Sequence, residues 1–368
     1  MVRLCILLGS VGLGGAQPAT AALAEDLATA GFDLRFLCLG EPTFWPWPAR
    51  PVSLGTRLAN GLLPLREALL EFQPALVLSS LGIASLAIEL ARATMRPRFA
   101  HAAWVHGYPA QEYAQFESVA KQAITAACWR AIWRADRIVA VSNPLAAHLR
   151  ESNPAAANRI HCVPNGPVRK ASIASPINPR NATARPKHLL FAGRFAPDKA
   201  PLDAITAVAQ LSPETVARLD FYGSGPLEAA MHAEIAARGL ADRVAIHPPT
   251  SDLTSRMAAA DALVLPSPIE PFGNIVIEAF SQGLPCIVRR GSGGPESLVP
   301  AGAQVMIADG MTVQDLAEAI RRTLASPVEP SILQAQAQRF TRDVHSAAMA
   351  ELLHELAEQG LSPEACKV

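Results

Sequence analysis

The sequence predicts an α/β protein made of two domains. Its 368 residues exceed what one compact core usually holds and suit two domains of roughly 170–180 residues each. Short apolar runs alternate with stretches of helical pattern along the chain, which is typical of parallel sheets covered by helices. Half of the residues are hydrophobic and 17% are charged, so each domain has enough apolar side chains for its own core.

The first half predicts strands and helices in alternation. Apolar and β-branched runs predict strands at 4–8, 32–39, 76–79, 99–105, 138–141 and 160–163. The segments between them predict helices at 19–29, 59–72, 83–93 and 121–137, and another that begins with Ser142 or Asn143 as its N-cap. Residues 171–187 are rich in Pro, Ser and Asn and predict a linker after a domain at 1–170.

The second half repeats the alternation. We expect strands at 189–192, 219–222, 244–247, 262–265 and 286–289, and helices at 201–211, 227–238, 253–260, 274–281 and 315–324. A long helical stretch follows at 331–356. These elements predict a second domain at 188–335 and a C-terminal helical segment at 336–368.

The net charge of zero conceals an asymmetry between the two halves. Residues 1–187 contain 19 Lys and Arg against 11 Asp and Glu, a balance of +8, which leaves −8 for residues 188–368. A basic half favours an anionic partner, and without a nucleic-acid-binding motif we expect a lipid surface or an anionic acceptor. Arg130, Arg134 and Arg137 form one basic stripe if residues 121–137 are helical, so this helix either lies on a membrane or packs with a solvated edge.

The six cysteines are scattered and include no Cys-x2-Cys pair. This pattern favours buried thiols in a reducing compartment over disulfides or a zinc site. The apolar run at 4–8 is short for a secretory signal, and no run reaches the ~18 apolar residues of a membrane span. We therefore expect a cytoplasmic protein, with peripheral membrane contact through its basic half as one alternative.

The segment at 266–285 leads from an apolar strand through Pro-Phe-Gly into a helix. The first amides of a helix lack intrahelical partners and lie at the positive end of its dipole, so Gly273, Asn274 and Ile275 can present N–H groups to an anion. Glu270 precedes the turn and Glu278 follows inside the helix, so the two carboxylates are expected to contact different parts of one ligand. On this segment alone, an ordinary helix start with solvated glutamates is an equally good interpretation.

The segment at 188–199 supplies two cations after another strand. Arg194 and Lys199 follow Gly193 at the carboxyl end of that strand, where open α/β sheets bind ligands. Arginine offers a planar fork and lysine a compact charge, a pair suited to a diphosphate.

Together these segments resemble the retaining glycosyltransferases of family 4, which have the GT-B fold of two facing Rossmann-like domains. Three motifs carry the resemblance: Glu-x7-Glu at Glu270 and Glu278, Gly-Arg-x4-Lys at Gly193, Arg194 and Lys199, and Pro-Asn-Gly at residues 164–166. Residues 291–296 are similar to the Gly-Gly-Pro-Glu segment of the family. The chain departs from the family pattern at Ser224, where an acidic residue is usual, and at Pro248 and Pro249, where many relatives have a glycine.

The resemblance implies transfer of a sugar from a nucleotide diphosphate sugar to a glycan, glycolipid or other hydroxyl acceptor, as in surface polysaccharide biosynthesis. It further implies retention of the anomeric configuration, no cofactor or metal, and a C-terminal helix that crosses back to the first domain. The sequence itself has no Asp-x-Asp pair or histidine-rich cluster for a divalent ion.

The resemblance also assigns roles to residues of this chain. Glu270 and His106 are the catalytic-site candidates, Glu270 contacting the donor sugar and His106 reaching it from the first domain. Glu278 is assigned to the ribose, while the other donor-binding candidates are Gly14, Gly15, Arg194, Lys199, Phe272, Gly273, Asn274 and Ile275. His101 is the alternative to His106, and without the resemblance a structural histidine is the better interpretation of His106.

Several alternatives remain open at this point. Trp45 and Trp47 either stack on a sugar or lipid or pack internally, and His247 either lines a base pocket or has no role. A Rossmann-type oxidoreductase would use the glycine loop at 9–15, whose spacing does not fit Gly-x-Gly-x-x-Gly. A non-catalytic nucleotide-sugar-binding protein would bind the donor without hydrolysing it.

Overall fold

In a computed structural model, the chain is described at residues 1–9, 15–40, 51–55, 58–95, 99–109, 118–173, 187–310 and 312–360. It divides into two compact units, one of Met1–Gly166 with Arg342–Val368 and the other of Pro167–Thr341. The C-terminal helix therefore belongs to the first unit, as the GT-B resemblance implies.

The first unit is built on a parallel sheet. Its strands are β1 (Val2–Leu8), β2 (Phe32–Cys38), β3 (Val52–Ser53), β4 (Leu76–Ser80), β5 (Ala100–Val105), β6 (Arg137–Ala140) and β7 (Ile160–Cys162). They are ordered β3-β2-β1-β4-β5-β6-β7. The order changes direction between β1 and β4, and such a switch point is where α/β sheets bind ligands.

Helices connect these strands. They are α1 (Ala16–Thr29), α2 (Leu58–Phe72), α3 (Gly82–Thr94), α4 (Val119–Ile132) and α5 (Asn143–Ser152), with α13 (Arg342–Gly360) returning from the chain's end. The N-cap of α5 is Ser142, whose hydroxyl accepts a hydrogen bond from the Leu145 amide at 3.2 Å. A buried, mainly aliphatic core is formed by side chains of β1, β2 and β4 together with α2 and α3.

The second unit repeats this architecture. Its strands are β8 (Lys187–Ala192), β9 (Val216–Tyr222), β10 (Val244–His247), β11 (Ala262–Leu265), β12 (Cys286–Arg289) and β13 (Ile307–Ala308), in the parallel order β10-β9-β8-β11-β12-β13. Its helices are α6 (Pro201–Ala209), α7 (Glu228–Ala237), α8 (Leu253–Ala259), α9 (Asn274–Ser281), α10 (Gly294–Leu298), α11 (Val313–Ala325) and α12 (Pro330–Gln338). This is the doubly wound order 3-2-1-4-5-6, with the switch point between β8 and β11.

Two predicted helices are wrong in extent. The stretch at 331–356 forms two helices, α12 and α13, which are separated at 339–341, where Thr341 pairs with Val168. The helix predicted at 121–137 ends at Ile132, and Arg137 is the first residue of β6. The three arginines therefore do not form a stripe on one helix.

The environment of α4 also bears on the membrane alternative. Trp129 is 3% exposed and lies with its ring centre 5.7 Å from that of Trp133, so Trp129 packs inside the unit. Among the described helices, none is both long and apolar enough to cross a bilayer. The described cysteines are unbridged, and Cys5, Cys38, Cys128 and Cys286 are buried, whereas Cys366 lies outside the described residues.

Candidate active site

In the second unit, two loops follow the strands that flank the switch point. The chain leaves β8 at Gly193 and runs to Lys199, and it leaves β11 at Pro266 and runs to Gly273. The two strands are direct neighbours, with Leu190 paired to Leu263. The predicted cations and the predicted Glu-x7-Glu segment therefore lie at the same edge of one sheet.

Each predicted cation already has a carboxylate partner. The ammonium group of Lys199 forms a hydrogen-bonded ion pair with Glu270, and its Nζ lies 3.8 Å from Asp198. Arg194 donates from one terminal nitrogen to both oxygens of Asp198, at 2.9 and 3.1 Å. The side chains of Lys199 and Glu270 are about one-fifth exposed, whereas that of Arg194 is 52% exposed. The site thus combines two cations with two carboxylates and is open to solvent at Arg194.

The backbone at Glu270 is held by the turn at 291–294. The Glu270 amide donates to the Ser292 carbonyl at 2.8 Å, and the Gly294 amide donates to the Glu270 carbonyl at 2.9 Å. A Cβ atom on Gly294 would lie only 2.4–2.6 Å from backbone atoms of Phe272, so this close approach requires glycine. Phe272 is buried and packs edge-to-face on Phe340 at 5.8 Å.

The start of α9 has a conformation that depends on glycine. Gly273 has φ +91°, in the left-handed region, and precedes the helix Asn274–Ser281. The N–H groups of Asn274 and Ile275 belong to the first turn, which lacks intrahelical acceptors and lies at the positive end of the helix dipole. The turn therefore offers a polar, positively polarised backbone close in sequence to Glu270.

Glu278 lies one turn further along α9. Burial raises the pKa of its carboxyl group to about 7. Within the described part of the chain, its carboxylate has no hydrogen-bond or ion-pair partner. A partly buried carboxylate of this kind is suited to accept hydrogen bonds from a ligand.

His106 follows β5 in the first unit. Its Nε2 lies 3.3 Å from the Ser80 hydroxyl at the end of β4, and its ring contacts Trp104 with 4.5 Å between ring centres. Burial lowers the pKa of His106 to about 3, with a further contribution from His345. The imidazole is therefore neutral near pH 7.

The C-terminal helix contributes a second histidine to this cluster. His345 on α13 stacks on Trp104 at 5.3 Å, and its Nδ1 lies 2.8 Å from the carbonyl oxygen of Pro164, where it must donate. Burial lowers its pKa to about 4, although the hydrogen bond to Pro164 opposes this shift. The Pro-Asn-Gly motif thus anchors the C-terminal helix beside His106, a contact 181 residues apart in sequence.

His101, the alternative candidate, lies inside the sheet. It is completely buried, and its ring nitrogens lie 2.8 Å from Ser79 and 2.8 Å from Glu89. These contacts give His101 a structural role in the core of the first unit.

His247 has partners that the sequence did not indicate. Its Nε2 lies 2.7 Å from Asp220 and its ring stacks on Tyr222 at 4.7 Å. Asp220 also contacts His188 at 2.6 Å and Arg218 at 2.7 Å. Burial raises the pKa of Asp220, but hydrogen bonds from these three side chains outweigh it and hold the pKa below its usual value. These side chains are hydrogen-bonded to one another across β8, β9 and β10 of the second sheet.

Three of the candidate residues considered in the sequence analysis lie outside the part of the chain that the structure describes. These are Gly14, Trp45 and Trp47, while Gly15 immediately precedes α1. Ser224, which replaces the acidic residue usual in the family, accepts a hydrogen bond at its carbonyl from the Phe195 amide at 2.9 Å. In the part of the chain that is described, no group of three or more His, Cys, Asp or Glu side chains has an arrangement that suits a metal ion.

Four residues near these candidates were not found from the sequence. Asp198 lies four residues after Arg194, a spacing that suits an ion pair on one helical turn and could have been noticed. Thr20, Ser80 and His345 reach the His106 cluster only through tertiary contacts, for which one sequence contains no signal.

Two family models match the chain, one in each half. Residues 13–167 match Glycosyltransferase Family 4, and residues 177–341 match Glycosyl transferases group 1. Both domains belong to glycosyltransferase families. The prediction of a glycosyltransferase is thus confirmed at the level of the family.

Curated relatives of the chain differ in what their names describe. It is 28% identical over 237 residues to an exopolysaccharide phosphotransferase of Streptomyces coelicolor, covering 62% of this chain and 24% of that protein. It is 31% identical over 212 residues to a D-inositol 3-phosphate glycosyltransferase of Nocardiopsis dassonvillei, covering 53% and 49%. The chain therefore spans less than half the length of these curated relatives.

Solved structures share the fold over nearly the whole chain. The structure of Anabaena HepE in complex with UDP-glucose has a TM-score of 0.81 at 20% identity and covers 96% of this chain and 100% of its own. The lipopolysaccharide glycosyltransferase WaaG has a TM-score of 0.70 at 16% identity and covers 98% and 100%. The predicted GT-B fold is confirmed.

Proposed function

We propose that this protein is a retaining, metal-independent glycosyltransferase that moves a sugar from a nucleotide diphosphate sugar to a hydroxyl group of a glycan, glycolipid or other acceptor. The observation that carries the proposal is the convergence of Arg194, Lys199 and the start of α9 at the switch point of the second sheet. Both domains belong to glycosyltransferase families, which supports the same activity.

The chemistry requires stabilisation of the negative charge that builds on the leaving diphosphate. Fixed cations and helix-terminal amides do this without reorganisation during the reaction. Arg194 uses one terminal nitrogen for Asp198, which leaves its other N–H donors for phosphate oxygens. Lys199 has three N–H donors and can hold Glu270 and a phosphate oxygen together. In this proposal these groups take the part that a divalent ion plays in other transferases.

The carboxylates orient the rest of the donor. Glu270 is fixed by Lys199 and by its backbone hydrogen bonds, so its second oxygen is available to a hydroxyl of the donor sugar. Glu278 accepts hydrogen bonds from the ribose hydroxyls, as the family resemblance implies. His106 donates or accepts one hydrogen bond with the sugar as a neutral imidazole.

The relatives guide which donor base and which classes of acceptor are tested first. HepE has been solved with UDP and with UDP-glucose, so uridine donors are tested first. The relatives' names refer to an exopolysaccharide and to an inositol phosphate, which supports a soluble or membrane-bound hydroxyl acceptor without selecting one. A role in surface polysaccharide synthesis, with peripheral contact to the inner membrane face through the basic half, remains our working proposal.

The test is release of nucleoside diphosphate from a panel of UDP-, GDP-, ADP- and dTDP-sugars, with and without EDTA. For the best donor, Arg194→Ala and Lys199→Ala should each lower turnover by about 100-fold or more, because each removes a cation from the leaving group. The matched control is Arg321→Ala, which removes an arginine that is also 52% exposed and paired with Glu318. Near-normal turnover in both site variants would contradict the leaving-group role, and loss of turnover with EDTA would contradict metal independence.

A further inference from the structure

Thr20, Ser80 and His106 form a continuous hydrogen-bonded chain in the first unit. The Thr20 hydroxyl lies 2.8 Å from the Ala16 carbonyl and 2.7 Å from the Ser80 hydroxyl, and the Ser80 hydroxyl lies 3.3 Å from His106 Nε2. Thr20 and Ser80 are completely buried, so their hydroxyl groups must find hydrogen-bond partners among these residues.

The Ala16 carbonyl determines which group donates in each of these hydrogen bonds. A carbonyl oxygen only accepts, so the single hydroxyl proton of Thr20 is donated to Ala16. The Thr20 oxygen then accepts from Ser80, which uses the single proton of the Ser80 hydroxyl. Consequently the Ser80 oxygen accepts from His106, and the proton of the imidazole lies on Nε2.

The opposite ring nitrogen is left as an acceptor. Burial keeps the imidazole of His106 neutral, with its pKa lowered to about 3, so Nδ1 carries a lone pair and no proton. Among the described residues, no other side chain is hydrogen-bonded to His106. His345 is the titratable neighbour of His106, and it donates its Nδ1 proton to the carbonyl oxygen of Pro164.

We propose that Thr20 and Ser80 are positioning residues that hold His106 with its proton on Nε2, so that Nδ1 accepts a hydrogen bond from a hydroxyl of the donor sugar. The role toward the sugar rests on the proposed function, whereas the tautomer does not. The helix backbone at Ala16 on α1 therefore sets the hydrogen-bonding sense of His106, which follows β5.

The tautomer is measured by long-range ¹H–¹⁵N correlation NMR. The sample is the full chain with ¹⁵N-labelled histidines and no donor, and the His106→Gln variant identifies the His106 signal. The wild type should show a neutral ring with Nε2 protonated. Thr20→Val removes the acceptor of the Ser80 proton, so Ser80 can turn and donate to Nε2, and the Nδ1-protonated fraction should rise several-fold. Thr20→Ser restores the hydroxyl and should restore the wild-type spectrum.

The matched control is Thr125→Val, because Thr125 is also a buried helical threonine whose hydroxyl donates to the carbonyl four residues earlier. It should leave the His106 signal unchanged. A wild-type ring protonated mainly on Nδ1, or a Thr20→Val spectrum identical to that of the wild type, would overturn the proposal. If Thr20→Val does not fold, the proposal is tested by the wild-type spectrum and by Ser80→Ala. Ser80→Ala should also raise the Nδ1-protonated fraction of His106.

The activity of the same variants separates this proposal from the proposed function. With a donor in hand, Thr20→Val should lower turnover by about tenfold, the usual effect of one misdirected hydrogen bond, and Thr20→Ser should restore it. A correct tautomer without turnover of any donor would contradict the transferase function alone. Turnover that persists unchanged in Thr20→Val despite the altered tautomer would contradict the role of Nδ1 toward the sugar.

Discussion

Glu278 shows how a single buried group links stability to pH. Its carboxyl pKa is raised from 4.5 to about 7 by burial, so the folded state holds a proton that the unfolded state has lost between these two pH values. The contribution of Glu278 to stability therefore falls as pH rises through this window and is lowest above pH 7. The sign is opposite to that of an ion-paired carboxylate.

Replacing Glu278 with glutamine should remove this dependence. One pKa unit corresponds to about 1.4 kcal/mol, and after allowance for the partial exposure of the side chain we expect Glu278→Gln to be about 2 kcal/mol more stable than the wild type at pH 8. Near pH 4 the two should unfold alike. The measurement is urea unfolding across pH 4–8, with the exposed Glu358→Gln as a control that follows the wild type. An equal pH dependence in wild type and Glu278→Gln would contradict the assignment.

At this scale the sequence identified the candidate site residues but not their contact partners. Arg194, Lys199 and Glu270 were predicted from motif spacing, and the structure brings Lys199 and Glu270 into contact. The partners of His106 were not predicted, because Ser80 is 26 residues away and Thr20 a further 60. Contacts of this kind depend on strand order, which spacing along one chain does not contain.

Among the elements, the turn at 291–294 holds the backbone of Glu270 through two hydrogen bonds, and we call this turn the brace. Substituting Gly294 with alanine would place a Cβ atom within 2.6 Å of the Phe272 backbone. We expect Gly294→Ala to destabilise the protein by about 1–3 kcal/mol through overpacking and to lower turnover strongly, because Glu270 would shift. Urea unfolding and donor turnover measure the two effects.

Gly302→Ala serves as the control for the brace. No atom lies within 4 Å of a Cβ built at this position, although its φ of +88° strains any other residue. This variant should lose about 1 kcal/mol of stability and keep its turnover. If Gly294→Ala retained wild-type turnover, the brace would not control Glu270.

The C-terminal helix depends on its first residue. Arg342 donates to Glu25, to Asp26 at 2.6 Å and to the Ala22 carbonyl at 2.7 Å, all on α1, and its side chain is 9% exposed. Removing it leaves two partly buried carboxylates without this partner, so Arg342→Ala should cost about 1–3 kcal/mol after allowance for their exposure. Hydrogen exchange in α1 and α13 should accelerate together.

Arg342→Lys separates charge from geometry in this contact. A lysine keeps the charge but lacks the planar fork, so it should recover only part of the lost stability. Arg321→Ala, on an exposed face, should change little. Unchanged exchange in α13 after Arg342→Ala would show that the helix is held by its apolar contacts alone.

The lengths of elements illustrate what periodicity can and cannot predict. The strand at 262–265 and the helix at 274–281 have the predicted bounds, because Pro and Gly residues delimit them. The break at Thr341 was missed, although Phe340, Thr341 and Val344 have low helix propensity. In the structure Thr341 pairs with Val168 at this point.

For the whole molecule, alternation of strands and helices was enough to predict two α/β domains. The order 3-2-1-4-5-6 was not predicted by composition or periodicity, since it depends on which strands pair across long connections. That order places the loops after β8 and β11 side by side and so creates the candidate site. The charge asymmetry of +8 against −8 is a property of the halves of the sequence.

The central claim is that the diphosphate of a nucleotide sugar binds to Arg194, Lys199 and the start of α9. The most direct measurement is a crystal structure of the protein with the nucleoside diphosphate that raises its melting temperature most. We expect phosphate oxygens within hydrogen-bond distance of both cations and of the amides at 273–275. A nucleotide bound instead at the glycine loop at 9–15, with Arg194 and Lys199 still paired only to Asp198 and Glu270, would contradict it.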